Sequence, residues 1–595
     1  MVIDLSSKLH HPVSRQLYKA AAPLVERSLH IRGFNDLYER TRLSVNAQPD
    51  TPAPFAWFTA ALQQLKVRCD LDTPKNFTIP QGPLIVVSNH PFGLLDPLIL
   101  GHYLSQHRPD LRIMTNFLLN ELEDIRPLIV PVDPFHHPDS PQRNLRPIKE
   151  CLRHLKKNHG ALAIFPSGEV AHYQPGHGIQ ECPWSDHVGA LARRSEAAVL
   201  PVYFKGRNSV LFQTAGILHP RLRTSLLLRE LFDRSRHPVT MRIGRPIPYS
   251  RLKHFDNDTS LTRYLRLQTL VLGQPNLPKK SAPSVAFSTP SPSPNTPSTL
   301  TREVAALPPP LAQQGHLAVH IATASQIPHL LQEIGRCREL TFRTVGEGTG
   351  NAIDLDRFDP HYLHLFLWDH QNQTLAGAYR IGRCDQLLRA HGKKGLYTHT
   401  LFKYKNAFTD GLHNALELGR SFILPTYQRN PAALPLLWKG VFTWISQHPQ
   451  YRRLFGPVTI SQDYQQLSKR LMVSFLTHHR ADPTLTPHIR PRKPFHKKGS
   501  KKLLREFISA DLREVDDFSA VIASLEADGK GLPILLKHYL RLNGTLLSFN
   551  VDKSFSNCLD GLIHVDLLNV EPRLITKYLG PTAATQYLAH HQSPI

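Results

Sequence analysis

The chain predicts an α/β protein of two domains. Three observations carry this. Short apolar strands alternate with amphipathic helices from Phe77 to about Leu272; a segment dense in Pro, Ser and Thr follows; and a second strand, helix and strand succession begins at His316. At 595 residues the chain exceeds one domain, and 41% hydrophobic residues supply full cores. Charged residues, at 20%, are too few for a disordered protein.

Residues 1–72 read as a helical region. Within it, Pro54 to Val67 puts Phe55, Phe58, Leu62 and Leu65 near one face with Trp57 close by, a stripe that reads as core before it reads as an interfacial helix. Residues 73–272 form the first domain, with strands expected at Leu84–Ser88, Leu111–Thr115, Leu128–Val132, Ala161–Phe165 and Val199–Phe204. The clearest intervening helix runs from Ile148 to Asn158. Residues 273–315 cannot bury a core and read as an extended, disordered linker. Residues 316–595 form the second domain around a mixed sheet, with Tyr362–Asp369, Thr374–Arg383, Leu416–Pro425, Leu454–Ser461 and Thr545–Asp552 as apolar segments and Leu434–Pro449 as a helix. A basic run, Arg490 to Arg505, reads equally as a solvated loop or as a contact for an anionic lipid or an acidic carrier.

The net charge of +24 fits an acidic partner, either an anionic membrane surface or an acidic carrier protein. Nucleic acid is disfavoured, because no zinc-finger spacing and no aromatic RNA-binding signature accompanies the charge. Six scattered Cys suggest neither a metal pair nor a disulfide framework, and a reduced cytosol is expected. The start MVIDLSSKLHH lacks a signal peptide's apolar core, and no apolar run reaches the roughly 18 residues of a spanning helix. The expectation is a cytoplasmic protein, peripheral on the inner face of the cytoplasmic membrane.

The stretch LIVVSNHPFGLLDPL, Leu84 to Leu98, carries the first chemistry. A strand ends at Asn89 and His90, a turn follows, and Asp96 lies six residues beyond the His. A strand that delivers His and Asp at its C-terminal end delivers a general base and its orienting carboxylate. A capping Asn beside a surface His is the competing structural reading. A second strand, Ala161 onward, ends in Phe165-Pro166-Ser167-Gly168-Glu169. Together the two blocks resemble the glycerolipid acyltransferase superfamily, in its hemolysin-like subgroup. The family's usual spacing leaves four residues between His and Asp; this chain has five, and Val170 stands where the family carries an Arg assigned to the acceptor's phosphate. The resemblance implies that His90 takes the proton of an acceptor hydroxyl, that Asp96 holds the imidazole, and that Asn89, Ser167, Gly168 and Glu169 line the acceptor site, with Glu169 facing a cationic amino-acid headgroup.

The second chemistry-bearing piece is Glu417 to Gly440. A strand with Glu417 and Arg420 runs into a loop with Gln428, Arg429 and Asn430, and a helix opens near Pro431 to Leu434. Such a loop presents free N–H groups to a phosphate, here the phosphopantetheine phosphate of an acyl donor. CRELTFRTVGEG, IDLDRFDPHYLHLFLWD, the ELGRSF strand, PLLWKGV, YRRLFGPVTIS and GLPILLKHYLRLNG resemble the ornithine-lipid N-acyltransferase family, a branch of the N-acetyltransferase fold near the acyl-homoserine-lactone synthases. With both halves, the chain is similar to the fused, bifunctional ornithine-lipid synthases. The resemblance implies that the C-terminal half N-acylates ornithine with a 3-hydroxyacyl chain and that the N-terminal half then O-acylates the hydroxyl. Glu417 is the candidate base for the amine, Arg420 and Arg343 hold a carboxylate or the carrier's phosphate, and Asp359 and His364 are further candidates. No metal ligand cluster is visible and no cofactor is implied; the donor is acyl carrier protein or coenzyme A thioester. The rival readings are a lysophospholipid acyltransferase with a non-catalytic second domain, a membrane-active toxin, and a charge-driven nucleic-acid binder.

Overall fold

The computed structural model describes residues 26, 30–46, 53–74, 76–115, 117–133, 140–235, 237–274, 296–496, 501–510, 512–553 and 555–592. The chain divides into two compact units, Met1–Pro275 with Lys501–Leu512, and Asn276–Ser500 with Arg513–Ile595. Both units are α/β.

The first unit is built on seven strands: β1 (Cys69–Asp72), β2 (Leu84–Ser88), β3 (Leu111–Thr115), β4 (Ile129–Pro131), β5 (Ala161–Ile164), β8 (Ala198–Lys205) and β9 (Val239–Ile243). The short β6 (His172–Gln174) and β7 (Gly178–Gln180) form a separate hairpin. The sheet order is β1-β9-β8-β2-β5-β3-β4, and every neighbour pair is parallel except β8 with β9. β2 lies at the centre, with Leu84 opposite Ala161 on one side and Ala198 on the other. Its five residues are all buried, as a continuous β-branched run requires when helices cover both faces. Helices Ile31–Asn46 and Ala53–Gln64 bury Phe34, Leu37, Trp57 and Phe58 in the same core, so the N-terminal apolar stripe is core. Residues of an open parallel sheet that follow a strand's C-terminal end face the crevice where such sheets bind ligands. Asn89 and His90 hold that position after β2.

The second unit carries eight strands: β10 (Ala312–Gln314), β11 (Leu317–Thr323), β12 (Leu363–Asp369), β13 (Thr374–Arg383), β15 (Ala415–Ile423), β16 (Arg453–Ile460), β18 (Thr545–Asp552) and β19 (Cys558–Asp566). β14 (Phe402–Tyr404) and β17 (Ile489–Pro491) pair separately. The order is β10-β11-β12-β13-β15-β16-β19-β18, a mixed sheet in which only β15 and β16 run parallel. That parallel ladder has three pairs, Ala415–Arg453, Leu416–Leu454 and Glu417–Phe455, although β15 continues to Ile423 and β16 to Ile460.

The extended linker expected over 273–315 is corrected over its second part. Residues 275–295 lie outside the described residues, but Pro297–Ala305 is a helix and β10 follows. Pro297 sits in the first turn, where its missing N–H costs nothing. Leu300 and Val304, one turn apart, are buried with Ile327, Leu330 and Ile334, so this segment does have a core to join. The basic run is corrected likewise. Residues 497–500 lie outside the described residues, yet Lys501–Ser509 is a helix of the first unit. It buries Leu503 and Phe507, and its Glu506 pairs with Arg266 at 2.9 Å.

Candidate active sites

In the first unit the turn after β2 closes on itself. His90 Nδ1 lies 2.9 Å from Asp96 Oδ2, and the same oxygen accepts the N–H groups of Phe92 at 2.9 Å and Gly93 at 3.1 Å. Gly93 is in the left-handed region at φ 81°, and a Cβ there would come within 2.8 Å of Leu227. Asp96 is fully buried; burial pushes its carboxyl up, and His90 with the two N–H groups pulls it back. The His90 side chain keeps 16% exposure, and with Nδ1 turned to Asp96 its Nε2 is the atom left for an acceptor. The Phe165 ring lies 4.5 Å from the imidazole, between centroids.

Local sequence reasoning missed Glu181. Its Oε1 accepts the backbone N–H of His90 and its Oε2 accepts the Trp184 indole N–H at 3.1 Å. Burial pushes this carboxyl up, and these donors pull it back. Glu181 follows the β6–β7 hairpin, 91 residues from His90, so no spacing rule reaches it.

The proposed acceptor residues fare unequally. Asn89 donates to the Phe204 carbonyl at 2.9 Å and accepts the Phe204 N–H at 2.7 Å. It ties β2 to β8 and does not face a substrate. Ser167 donates to the Glu169 carbonyl at 2.9 Å, and Gly168, at φ 70°, makes the turn between them. Ala171, two residues beyond Glu169, donates its N–H to the His90 carbonyl at 2.9 Å, so the second motif lies against the first. Glu169 Oε2 meets the Arg223 guanidinium at 2.8 Å, with the two side chains 31% and 10% exposed. Val170 is buried against Phe212 and Leu227. The guanidinium beside Glu169 comes from Arg223 of helix Pro220–Ser225. Among the described residues, the one group of His, Cys and acidic atoms close enough to hold a cation is Glu169, His172 and Cys182, within 4.8 Å of one another. Arg223 already places a positive charge on that Glu169 oxygen. A small apolar void in the core between helices Ile31–Asn46, Ala53–Gln64 and Leu95–Ser105 is lined by buried Phe34, Leu37, Trp57, Ala61, Leu94 and Leu98, the last two inside the His90 motif.

In the second unit three guanidiniums meet three carboxylates. Arg338 pairs with Asp354 at 2.9 Å and with Asp359 at 3.2 Å. Arg380 pairs with Asp356 at 2.7 Å and Asp359 at 3.2 Å. Arg420 lies 3.6 Å from Asp354 and 3.5 Å from Asp356. The Arg420 cation also rests over the rings of Tyr397 at 4.9 Å and Phe555 at 4.4 Å. The two Args hold the Asp359 carboxyl well below its ordinary range against the effect of burial. Arg420 has φ 50°, where a non-Gly residue is strained, at a bulge between β13 and β15. Arg338, Arg380, Asp354 and Asp356 escaped the sequence reading; the available signal was the repeated acid in IDLDRFD beside a largely apolar strand.

Three readings in this unit are corrected. Glu417 is buried, and its oxygens accept Thr398 N–H at 2.7 Å, Tyr397 N–H at 3.1 Å and the Tyr362 hydroxyl. A carboxylate so occupied anchors the 395–398 turn and does not stand open to an amine. Arg343 donates to Glu339 at 2.8 Å and to the Asn351 carbonyl at 2.6 Å, and Glu339 in turn accepts Thr349 and Gly350 N–H groups, so Arg343 secures a loop. His364 is buried with its Nε2 on the Asp359 carbonyl at 2.9 Å. In the donor loop, Gln428 donates back to Ile423 at 3.0 Å and Asn430 accepts Ala432 N–H at 2.9 Å; Arg429 is exposed. The helix after them is Ala433–Gln447, with no side chain capping its first turn.

A His–Asp pair at the C-terminal end of a largely parallel sheet supplies the general base that acyl transfer to a hydroxyl needs, and the same chain carries a mixed sheet whose parallel pair parts after three rungs. Comparison with known proteins agrees. Residues 67–274 match the family model described as acyltransferase, and residues 337–439 the model described as acetyltransferase (GNAT) domain. The chain is 30% identical over 247 residues to the glycine N(alpha)-acyltransferase of Phocaeicola vulgatus, covering 40% of this chain and 75% of that protein. It is 29% identical over 202 residues to the L-ornithine N(alpha)-acyltransferase of Rhodobacter capsulatus, 33% of this chain and 67% of that protein. It is also 29% identical over 175 residues to the lyso-glycine lipid O-acyltransferase of Phocaeicola vulgatus, 28% of this chain and 60% of that protein. The chain belongs to the amino-acid-lipid acyltransferase family, with an acyltransferase domain and a GNAT domain in one polypeptide.

Proposed function

We propose that the chain makes an amino-acid lipid by two successive acyl transfers. The GNAT half transfers a 3-hydroxyacyl chain from acyl carrier protein to the α-amine of ornithine, and the N-terminal half acylates the resulting hydroxyl. The observation that carries this reading is the His90–Asp96 contact of 2.9 Å in the same chain as a GNAT unit. His90 Nε2 takes the hydroxyl proton as the oxygen attacks the thioester carbon; Asp96 steadies the imidazolium; the proton returns to the thiolate as it leaves. The partly exposed Glu169–Arg223 pair suits a headgroup with both an ammonium and a carboxylate. In the GNAT half, β15 and β16 no longer pair with one another beyond their third rung, and the amides of a phosphopantetheine arm enter that gap. Arg420, at that opening, meets the acceptor's carboxylate, and Arg429 with the start of helix Ala433–Gln447 meets the donor's phosphate. The basic chain works at the inner face of the cytoplasmic membrane, where its lipid product belongs.

Glycine is the second reading for the acceptor, favoured by the 30% identical relative. Expression in a host without amino-acid lipids, followed by lipid mass spectrometry, tests both. The ornithine headgroup mass, with one amide-linked and one ester-linked chain, is the expected result. A glycine headgroup changes the acceptor only; altered phospholipids alone refute the proposal.

A further inference from the structure

The helix Val210–Leu218 presents its apolar side outward. At 3.6 residues per turn Val210, Leu211, Thr214, Ile217 and Leu218 share one arc of about 120°. That arc faces solvent: Val210 is 75% exposed, Leu211 44%, Ile217 62% and Leu218 79%. Leu222 at 49% on the next helix, Pro220–Ser225, and Tyr173 at 43% on β6 extend the patch. The opposite face is fixed by buried Phe212, Gln213 and Ala215. Ser209 caps the helix, accepting Phe212 N–H at 3.2 Å, and donates its own N–H to buried Glu230 at 2.9 Å. The apolar face is thus held outward by a formed, capped helix.

Two further observations say what covers it. From Ala197 to Arg229 the sequence holds no acid; Arg223 and Arg229 are paired with Glu169 and Asp233, while Lys205 and Arg207 are exposed just before the helix. The patch also borders the His90 site. Phe212 packs on Val170, Gln213 accepts the Tyr173 N–H at 2.8 Å, and Arg223 pairs with Glu169.

We infer that the outward face of helices Val210–Leu218 and Pro220–Ser225 seats in the headgroup–acyl boundary of an anionic bilayer and forms the lip through which a lipid acceptor reaches His90. An exposed apolar stripe led by an exposed Lys and Arg is the composition that such a surface binds. The inference rests on the O-acyl-transfer reading for its purpose, though not for its measurement.

The test is sedimentation of the full chain with vesicles of phosphatidylglycerol and phosphatidylethanolamine, against vesicles of phosphatidylcholine, for the parent and for Leu211→Glu/Leu218→Glu. Both positions are already in water, so the fold is retained. The parent is expected to prefer the anionic vesicles, and the double variant to bind them about tenfold more weakly. Acylation of lyso-lipid embedded in vesicles should fall in parallel, while acylation of the same lyso-lipid dispersed in detergent stays at the parent's rate. Equal vesicle binding by parent and variant overturns the inference. So does a parent dimer, seen by light scattering, that the variant dissolves with vesicle binding unchanged, since a second copy would then own the face. If binding falls as expected but no variant or parent acylates lyso-lipid, the surface stands and the O-acyl-transfer reading fails.

Discussion

His90 Nδ1 and Asp96 Oδ2 lie 2.9 Å apart although five residues separate them, one more than the related motif carries. The extra residue is absorbed in the turn, because Asp96 Oδ2 also takes the N–H groups of Phe92 and Gly93 and folds the segment back on itself. Asp96→Asn keeps that shape and removes the charge that steadies an imidazolium. O-acylation of supplied lyso-lipid is expected to fall roughly 10²–10⁴-fold, the range of a positioned acid–base group, with a small change in Tm. A rate within a few-fold of the parent would remove Asp96 from the mechanism.

Glu181→Ala leaves the His90 N–H and the Trp184 indole without their acceptor. Each orphaned donor costs about 1–3 kcal/mol. Glu181→Gln restores one carbonyl acceptor. The expected order of Tm is parent, then Gln, then Ala, with O-acylation following it; thermal unfolding and the lyso-lipid assay measure both. An Ala variant as stable and active as the parent would contradict the contact.

The sequence made β2 and β5 legible because a central parallel strand must be apolar throughout, and His90 and Asp96 legible because they are neighbours in the chain. Glu181 and Arg223 were hidden because they reach the site from distant segments. Helix Pro328–Thr344 was hard to read because its buried face includes Glu333, Arg338 and Glu339, which enter the core only with their partners. Helix Pro297–Ala305 was masked by Pro, Ser and Thr, residues that mark linkers unless a Leu and a Val one turn apart find a core. Glu417 looked like a base because burial of its donors, Tyr362, Tyr397 and Thr398, is a tertiary fact.

Arg338 is 1% exposed between Asp354 and Asp359. Arg338→Ala leaves two buried carboxylates short of a cation, at about 3–5 kcal/mol. The amide-forming activity and the stability of the second unit should fall together. Arg420→Lys retains the charge but loses the planar stacking on Tyr397 and Phe555, so it should raise the KM for the amino acid with a smaller loss of stability. Unchanged KM in Arg420→Lys would remove it from the acceptor site.

Buried Asp560 and half-buried Glu347, which repel one another, are each pushed up to about 7, chiefly by loss of solvent. Groups with folded values above their unfolded ones add stability at low pH and lose it as pH rises toward 7. His320, His364 and His538 are pushed down to about 4 by burial, so they cost stability as pH falls from 6.5 to 4. The stability of the second unit should therefore decline on both sides of a mildly acidic optimum. Asp560→Asn should flatten the alkaline side, raising Tm more at pH 8 than at pH 5. An equal change at both pH values would contradict the raised carboxyl.

The division of labour between the halves is tested most directly by the lipids that accumulate in a His90→Ala variant expressed in a host without amino-acid lipids. Loss of the proton acceptor should stop ester formation and leave the GNAT half at work. Mass spectrometry should then show the monoacylated, amide-linked lyso-lipid in place of the diacylated product. Disappearance of all amide-linked lipid from a variant that is soluble and folded, or persistence of the diacylated lipid at the parent's level, would contradict the account.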